Sequence, residues 1–330
     1  MIKQNVGFLG LGCYIPEKVI TNFDLEKMVD TTNEWILERT GIRERHVAAP
    51  EEATSDLAIK AGQRAIADAG LTAADLDLII VATAFPDHVF PSTACTVQNA
   101  LGAVNAAAFD LAACCSGFVY GSAVASQLIA SGLYQHVLVI GAEALSKMTN
   151  WHDRNTCILF GDGAGAAVLG NVEAGYGIKA IDLGADGSGV PYLFMPAGGS
   201  RKPASHGTVD AKEHFITMNG KEVFKFAVRV MGRSALKVLK EAGLTAADID
   251  LLIPHQANSR IVDSAAKRLK LPAEKIMVNL DKYGNTSGAS IPIALCEARD
   301  AGRLHKGDNV VMTGFGGGLT WASILVKWHK

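Results

Sequence analysis

The residue with the clearest chemical potential is a cysteine at a predicted strand-to-helix turn. Cys115 follows the apolar run FDLAAC (109–114) and precedes a stretch of small residues that predicts a helix over 117–131. A thiol at the start of a helix lies near oriented N–H groups and the positive end of the helix dipole, which lower its pKa and favour the nucleophilic thiolate. We therefore expect Cys115 to be a nucleophile and Cys114 beside it to be a small buried residue.

Two further polar residues and a glycine run could complete a site around this thiol. His255 directly follows the apolar run LLIP, and Asn285 lies in the turn YGNTSG. Strand ends line the binding crevice of open α/β sheets, although a lone His beside Pro can be structural and an Asn in such a turn can be a helix cap. In GFGGGLTW (314–321), consecutive glycines let backbone N–H groups approach a ligand, as an oxyanion site requires. The run lacks the G-x-G-x-x-G spacing of a dinucleotide fingerprint.

An internal repeat organises the elements that must position these motifs. Residues 68–81 (DAGLTAADLDLIIV) and 241–254 (EAGLTAADIDLLIP) are identical at ten of fourteen positions, at an offset of 173. The same offset relates Gly141 to Gly314, each of which follows a strand-like run. The pattern predicts a duplicated unit, although a helix–Gly–strand segment is also a common local pattern.

Each half of the chain alternates helix-like and strand-like segments. Apolar residues spaced by three or four predict helices that end at Gly70 and Gly243, and each is followed by a buried strand. Such alternation indicates an α/β fold, which we divide into domains 1–172 and 173–330. Further strands are predicted in NAAAFDLA, HVLVIGA, GAAVLG, IMVNL, NVVMTG and ASILVKW, with a further helix over 289–301.

Composition and charge exclude several classes of protein. The 31 Lys and Arg residues nearly balance 33 Asp and Glu residues, which argues against a nucleic-acid binder. No apolar run reaches the length of about 18 residues that a membrane span needs, and the first residues (MIKQNVGFLGLG) contain no secretory segment. The six cysteines have no zinc-site spacing. We expect a cytoplasmic protein with free thiols and no metal, nucleic-acid or membrane partner.

Taken together, the motifs resemble one family. CCSGF, PHQAN, YGNTS and GFGGGLTW, in that order, look like β-ketoacyl-acyl-carrier-protein synthase III of the thiolase-like superfamily, and so do residues 26–46 and 160–170. The resemblance implies a duplicated five-layered α-β-α-β-α fold, with two mixed sheets around buried helices, and a homodimer. It also implies that Cys115, His255 and Asn285 are the catalytic residues.

The family's reaction starts type II fatty-acid synthesis. By resemblance, an acetyl or short acyl group passes from CoA to Cys115 and condenses with malonyl-acyl-carrier protein, with release of CO2. The resemblance assigns the oxyanion contacts to the backbone N–H groups of Cys115 and Gly317. His255 and Asn285 would donate hydrogen bonds to the enolate that decarboxylation leaves. No cofactor is implied, because acyl-CoA is a substrate.

Substrate contacts are also implied by the resemblance. Basic residues beside His255 would meet the acidic carrier protein, although a solvated helix face also carries such charges. Asn155 departs from the Gly expected beside Arg154, and Leu319 stands where the family often has Phe. The implied contacts are Thr31, Trp35, Arg39, Arg154, Phe224 and Asn258 for CoA, Phe90 (from the neighbouring subunit) and Leu319 for the acyl pocket, and Gln256, Ala257, Asn258, Ser259, Arg260 and Lys267 for carrier-protein docking.

Three other interpretations stay open at this point. A related synthase of the polyketide or 3-hydroxy-3-methylglutaryl type would keep the Cys and His but usually differs at Asn285. A Cys-His-Asn thioester hydrolase would use His255 as a base for Cys115 and would need no malonyl acceptor. A non-catalytic scaffold that binds carrier protein would have no need of all three residues.

Overall fold

The computed structural model describes residues 5–330 as a mixed α/β fold. The first four residues, part of the segment in which no secretory signal is predicted, lie outside the described range. The strands, in chain order, are β1 Val6–Tyr14, β2 Lys18–Thr21, β3 Glu44–Val47, β4 Leu78–Ala82, β5 Ala107–Leu111, β6 Val137–Glu143, β7 Gly163–Asn171, β8 Gly177–Ala185, β9 Leu193–Phe194, β10 Thr217–Met218, β11 Leu251–Pro254, β12 Asn309–Gly316 and β13 Thr320–Lys327.

The helices connect these strands and include short segments of a single turn. They are α1 Asn22–Leu25, α2 Asn33–Thr40, α3 Thr54–Asp68, α4 Thr93–Leu101, α5 Gly117–Ala130, α6 Arg154–Cys157, α7 His206–Asp210, α8 Gly220–Glu241, α9 Ser259–Leu269, α10 Leu280–Tyr283 and α11 Ser290–Asp300. No helix within residues 5–330 is both long and apolar enough to cross a lipid bilayer.

Two large sheets share the same strand order, as duplication of one unit predicts. The first runs β1-β7-β6-β4-β5, and the second runs β8-β13-β12-β11. In both, the strand at the end of the repeated segment (β4 or β11) pairs in parallel with the strand that contains Gly141 or Gly314 (β6 or β12). The place of β5 in the second sheet is taken by an isolated parallel bridge between Leu252 and Ile276.

The sheets and helices stack in five layers, which confirms the predicted fold class. Helices α5 and α11 lie between the two sheets and share one apolar core with both of them. Helices α3 and α4 cover the outer face of the first sheet, and α8 and α9 cover the outer face of the second. Strands buried on both faces explain why their sequences are almost continuously apolar. The division into domains at 172/173 stays a prediction.

The repeated segment folds in the same way in both halves. Helices α3 and α8 are each followed, two residues after their last residue, by a glycine with positive φ (+68° at Gly70 and +73° at Gly243). Glycine adopts this conformation without steric cost, so it ends the helix. The sequence TAAD then forms a 3-10 turn in which the Asp carboxylate accepts hydrogen bonds from the backbone N–H and hydroxyl of the preceding Thr. The predicted helix ends are therefore confirmed.

One predicted strand is absent in the described chain. The run IMVNL (276–280) makes a single bridge to β11 and then enters α10. The buried side chain of Gln256 replaces the missing ladder: Nε2 donates to the carbonyl of Met277 (3.0 Å), and Oε1 accepts from the backbone N–H of Asn279 (3.1 Å). A side chain thus satisfies backbone groups that a neighbouring strand would otherwise pair.

Candidate active site

Cys115 lies in the 3-10 turn Cys114–Ser116 that leads directly into α5, so its predicted position before the helix is confirmed. Gly117, the first residue of α5, packs closely on β4: a Cβ atom there would lie 2.9 Å from the Cβ of Ala82. Glycine therefore lets the helix start against the sheet, and Cys115 is held, buried, above the end of β4.

The expected lowering of the Cys115 pKa is wrong. Burial of the thiol is the largest influence and raises its pKa well above the ordinary value. The neighbouring Cys114 and the carboxylate of Glu143 raise it further, whereas the Ser287 hydroxyl lowers it by hydrogen bonding. At neutral pH Cys115 is consequently a thiol, and its proton must be removed when the sulfur attacks.

His255 follows β11 and is almost completely buried. Its Nδ1 atom lies 2.6 Å from the Ser290 hydroxyl oxygen. That oxygen accepts a hydrogen bond from the backbone N–H of Gln256 (3.4 Å). Since that hydroxyl accepts from Gln256, its own proton is available to Nδ1, and this arrangement favours the tautomer with the proton on Nε2. Burial lowers the pKa of His255 to about 3, so the ring is neutral at neutral pH.

Asn285 is held by its backbone and by one side-chain hydrogen bond. Its N–H donates to the carbonyl of Leu159 (2.8 Å), and its carbonyl accepts from the N–H of Gly161 (3.1 Å). The side-chain Oδ1 accepts from the N–H of Ser287 (2.9 Å). This contact orients the amide so that Nδ2, which can only donate, is the group left for a ligand.

Cys115, His255 and Asn285 line one cavity of about 770 Å³, within the range of about 300–1,000 Å³ that is typical of small-molecule sites. Trp35, Arg39 and other residues of α2, α8 and α9 form part of its wall. A smaller cavity of about 130 Å³ also reaches Cys115. Its lining is mainly apolar and consists of Ala84, Cys114, Cys115, Leu145, Met148, Phe160, Leu193, Phe194, Met195, Ile216 and Ser287.

The glycine run passes close to the two cysteines. A Cβ atom on Gly316 would lie 2.6 Å from the backbone nitrogen of Cys115, and one on Gly317 would lie 3.1 Å from the Cys114 sulfur. Gly316 lines the large cavity. Burial raises the pKa of the Cys114 thiol to about 11, and the nearby Gly317 backbone lowers it. The backbone thus approaches the thiols as closely as predicted, but an oxyanion role for Gly317 stays a prediction.

The residues expected at the CoA site lie near the wall of the large cavity. The guanidinium groups of Arg39 and Arg154 lie over the Trp35 ring, 4.7 and 5.1 Å from its centroid. Asn258 Nδ2 donates to the carbonyl of Arg39 (2.8 Å), and Arg260 lies over the Phe224 ring at 5.6 Å. Trp35, Arg39, Phe224 and Asn258 line the cavity, and Asn155 does so as well, whereas Thr31 and Arg154 do not.

The two residues expected around the acyl group line neither cavity of their own chain. Leu319 is buried against Gly189 in a separate apolar cluster, and its assignment to the acyl pocket stays a prediction. Phe90 is 84% exposed and also lines neither cavity of its own chain. Its predicted role across a subunit interface stays a prediction.

The docking surface is smaller than expected. Gln256 is 1% exposed, and its side chain hydrogen-bonds to backbone groups of the same chain. Ala257 is buried in the cavity wall. Neither side chain is therefore on the surface that a docked protein would contact. Asn258 and Ser259 are partly buried, and Arg260 and Lys267 are exposed on α9. Two exposed lysines that the sequence analysis missed, Lys221 and Lys225, lie at the start of α8 and line the same cavity.

Glu143 and Ser287 also escaped the sequence analysis. The only available signal was an acidic residue at the end of the apolar strand VLVIGAE and a second polar residue after Asn285.

In the described residues, no cluster of three or more His, Cys, Asp or Glu side chains is suited to hold a metal ion.

Comparison with known proteins agrees with this geometry. The family profile described as 3-oxoacyl-[acyl-carrier-protein (ACP)] synthase III matches residues 109–187, and the profile for the C-terminal part of that synthase matches residues 239–328. The chain is 63% identical over 328 residues to a beta-ketoacyl-[acyl-carrier-protein] synthase III of Caldanaerobacter subterraneus subsp. tengcongensis, covering 99% of both chains. It is 61% identical over 326 residues to the synthase III of that name from Desulfitobacterium hafniense, covering 99% of this chain and 98% of the relative.

Solved structures of synthase III proteins are also similar to this chain. The crystal structure of a 3-oxoacyl-[acyl-carrier-protein] synthase III from Aquifex aeolicus is similar with a TM-score of 0.91 and 47% identity, covering 98% of this chain and 100% of the other. A beta-ketoacyl-[acyl-carrier-protein] synthase III from Thermus thermophilus is similar with a TM-score of 0.90 and 50% identity, covering 98% and 99% of the two chains.

Proposed function

The chain belongs to the 3-oxoacyl-[acyl-carrier-protein] synthase III family, and we propose that it starts fatty-acid synthesis by moving a short acyl group from CoA to Cys115 and condensing it with malonyl-acyl-carrier protein. The observation that carries the proposal is the shared cavity: Cys115, His255 and Asn285 come from three distant parts of the chain and line one pocket. The product is acetoacetyl-acyl-carrier protein when the primer is acetyl-CoA.

The first half-reaction is acyl transfer. The Cys115 sulfur attacks the thioester carbonyl, and the tetrahedral oxyanion receives hydrogen bonds from the backbone N–H groups of Cys115 and Gly317. The CoA thiol leaves, and the acyl group stays on Cys115. The mainly apolar lining of the smaller cavity suits a short acyl chain, because a volume of about 130 Å³ holds about four groups the size of water at about 30 Å³ each.

The second half-reaction is decarboxylative condensation. Loss of CO2 from the malonyl group leaves an enolate, whose oxygen needs hydrogen-bond donors rather than a base. A neutral His255 with its proton on Nε2 and the Nδ2 group of Asn285 supply two donors, both held by the contacts at Ser290 and Ser287. The enolate carbon attacks the acyl carbon and releases Cys115. The proposal includes no cofactor.

Substrate binding follows from the cavity wall. The CoA adenine would stack on Trp35, which requires the guanidinium of Arg39 or Arg154 to share that ring. The carrier protein would dock on the exposed basic residues Arg260 and Lys267. A homodimer belongs to the same proposal, because Val89 and Phe90 are 87% and 84% exposed and form an apolar patch suited to a second copy. A cytoplasmic location stays a prediction.

Separate assays of the two half-reactions test this function. Asn285→Ala should still load labelled acetyl from acetyl-CoA while its CO2 release from malonyl-carrier protein falls by about 10²–10³, the usual cost of one lost oxyanion donor. Cys115→Ser should lose loading, because an unactivated hydroxyl is a poor nucleophile. Hydrolysis of acetyl-CoA without any need for malonyl-carrier protein would instead indicate a thioester hydrolase.

A further inference from the structure

A carboxylate on the inner helix α11 lies behind the two residues that are proposed to hold the enolate. Glu297 belongs to α11, and only 23% of its side-chain surface is exposed. Its Oε2 atom accepts a hydrogen bond from the side-chain amide of Asn279 (2.7 Å), and its Oε1 atom accepts one from the hydroxyl of Tyr283 (2.7 Å). Hydrogen bonds to an ionised acceptor at this length are stronger than those between neutral groups. The proposed mechanism gives this carboxylate no role.

The two donors to Glu297 stand at the two ends of the short helix α10 (Leu280–Tyr283). Asn279 directly precedes α10, and its side chain makes no cap on that helix but binds the carboxylate instead. Tyr283 is the last residue of α10. A helix of one turn has too few internal hydrogen bonds to be stable alone, so its position depends on contacts with the rest of the protein. Glu297 fixes both of its ends at once.

The N-terminal end of α10 is joined to the His255 side of the site. Gln256, which follows His255, is buried, and its side-chain oxygen accepts from the backbone N–H of Asn279 (3.1 Å). Its side-chain nitrogen donates to the carbonyl of Met277 (3.0 Å). The segment before α10 is therefore bound to the strand end that carries His255, and Glu297 anchors the same segment to α11.

The C-terminal end of α10 leads directly to Asn285. Only Gly284 separates Tyr283 from Asn285, and its backbone (φ +65°, ψ −156°) has a conformation that is accessible essentially to glycine alone. Because glycine is conformationally free, the position of Asn285 has to be fixed from both sides. On one side its backbone hydrogen-bonds within residues 159–161. On the other side the contact between Tyr283 and Glu297 holds the preceding turn.

We propose that Glu297 is a positioning residue for decarboxylation, an inference that rests on the proposed function. Glu297 lines neither cavity and acts through α10, which it holds so that His255 and Asn285 keep the spacing that two enolate donors need. A misplacement of about 1 Å in a reacting or positioning group can cost about 10² in rate. Acyl transfer uses the thiol and backbone N–H groups rather than these two donors, so it should depend much less on Glu297.

Separate measurements of CO2 release and acetyl loading on the intact enzyme test this role. Glu297→Ala should lower the kcat for CO2 release from malonyl-carrier protein by about 10², with a KM near the wild-type value and normal loading of Cys115. Glu297→Gln should restore most of the rate, because its amide can accept from Asn279 and donate to the oxygen of Tyr283. Either change also removes the ion pair with the exposed Lys282 (3.6 Å), which contributes little. Tyr283→Phe, which removes one of the two contacts, should show an intermediate loss.

Two comparisons separate positioning from stability. Arg299→Gln is the matched control on α11, because its guanidinium donates to the carbonyl of Leu11 (2.7 Å) and pairs with Asp68 (3.1 Å), contacts that do not involve α10. It should lower the melting temperature without changing the ratio of CO2 release to loading. The combination of Glu297→Ala with Tyr283→Phe should lose no more activity than Glu297→Ala alone, because both changes remove the same contact.

The outcomes separate this inference from the proposed function. A wild-type enzyme that loads no acetyl group or releases no CO2 from malonyl-carrier protein would contradict the function itself. If the wild type is active and Glu297→Ala releases CO2 at the wild-type rate, the positioning role is wrong while the function stands. An equal loss of loading and CO2 release, or a loss that Glu297→Gln does not restore, would show a structural role and would also overturn the inference. If Glu297→Ala does not fold, Tyr283→Phe decides the question, since it should lower CO2 release and spare loading.

Discussion

The Nδ1 atom of His255 lies 2.6 Å from the Oγ atom of Ser290, the first residue of α11. This contact fixes which ring nitrogen can face a substrate, because Nδ1 is already engaged. The enolate donor proposed at His255 thus depends on a serine 35 residues away in sequence that never needs to touch the substrate.

Ser290→Ala should weaken condensation while sparing acyl loading. Without the hydroxyl, His255 loses the contact that favours its Nε2–H tautomer, and one hydrogen bond of about 1 kcal/mol corresponds to a loss of about fivefold to tenfold. Separate measurement of CO2 release and of acetyl loading checks this expectation. Ser126→Ala is the matched control, since Ser126 is equally buried but bonds only within α5. Equal loss in both half-reactions would contradict the tautomer role.

The low pKa of His255 predicts a flat pH profile for decarboxylation. Because burial lowers the pKa of this ring from 6.5 to about 3, His255 stays neutral between pH 5 and pH 8. CO2 release by enzyme already loaded with an acyl group should therefore show no inflection near pH 6.5. Single-turnover CO2 release across this range measures it. A titration near 6.5 that disappears in His255→Gln would show that the ring is charged during catalysis.

The smaller cavity should set the length of the primer. Ile216→Ala removes side-chain volume from the lining and should shift the preference toward longer acyl-CoA substrates, at a stability cost of about 2–5 kcal/mol. Leu319→Ala is the informative control, because Leu319 is buried but lines neither cavity. Initial loading rates for acyl-CoA substrates of increasing length distinguish them. A shift in Leu319→Ala alone would support the family-based assignment of Leu319 and contradict the role of the smaller cavity.

Charge reversal on α9 should affect the carrier-protein step alone. Arg260→Glu should raise the KM for malonyl-carrier protein while leaving acetyl loading from CoA near normal, and the difference should shrink as salt increases. Lys240→Glu provides an exposed control near the far end of α8, about 22 Å along the helix from Lys225 at 1.5 Å per residue. Equal loss in both steps would indicate that Arg260 is structural or binds CoA, since it also lies over Phe224.

Local features of the fold were predictable from sequence because they depend on neighbours along the chain. The helix ends at Gly70 and Gly243 follow from the conformational freedom of glycine, and the repeat predicted two sheets of the same design. The placement of Cys115 before α5 was equally local. Each of these features needs only a few adjacent residues.

Other features depend on packing between distant segments and could not be predicted from neighbouring residues in the sequence. Gln256 sits in a polar motif but is buried, because residues 277–279 offer it backbone partners. The predicted lowering of the Cys115 pKa is wrong because burial by the surrounding elements raises the pKa and outweighs the effect of the helix N-terminus. Glu143 ends an apolar strand, and its hydrogen-bond donors, Thr83, Ala84 and Gly288, come from distant parts of the chain.

Mass spectrometry of the acylated enzyme tests the central claim most directly. The protein is incubated with acetyl-CoA, digested, and sequenced by tandem fragmentation so that Cys115 is distinguished from the adjacent Cys114; malonyl-carrier protein is then added to a second sample. The proposed function predicts an adduct of one acetyl group on Cys115 that disappears as acetoacetyl-carrier protein forms. An acetyl group on Cys114, or an adduct on Cys115 that persists in the presence of malonyl-carrier protein, would contradict it.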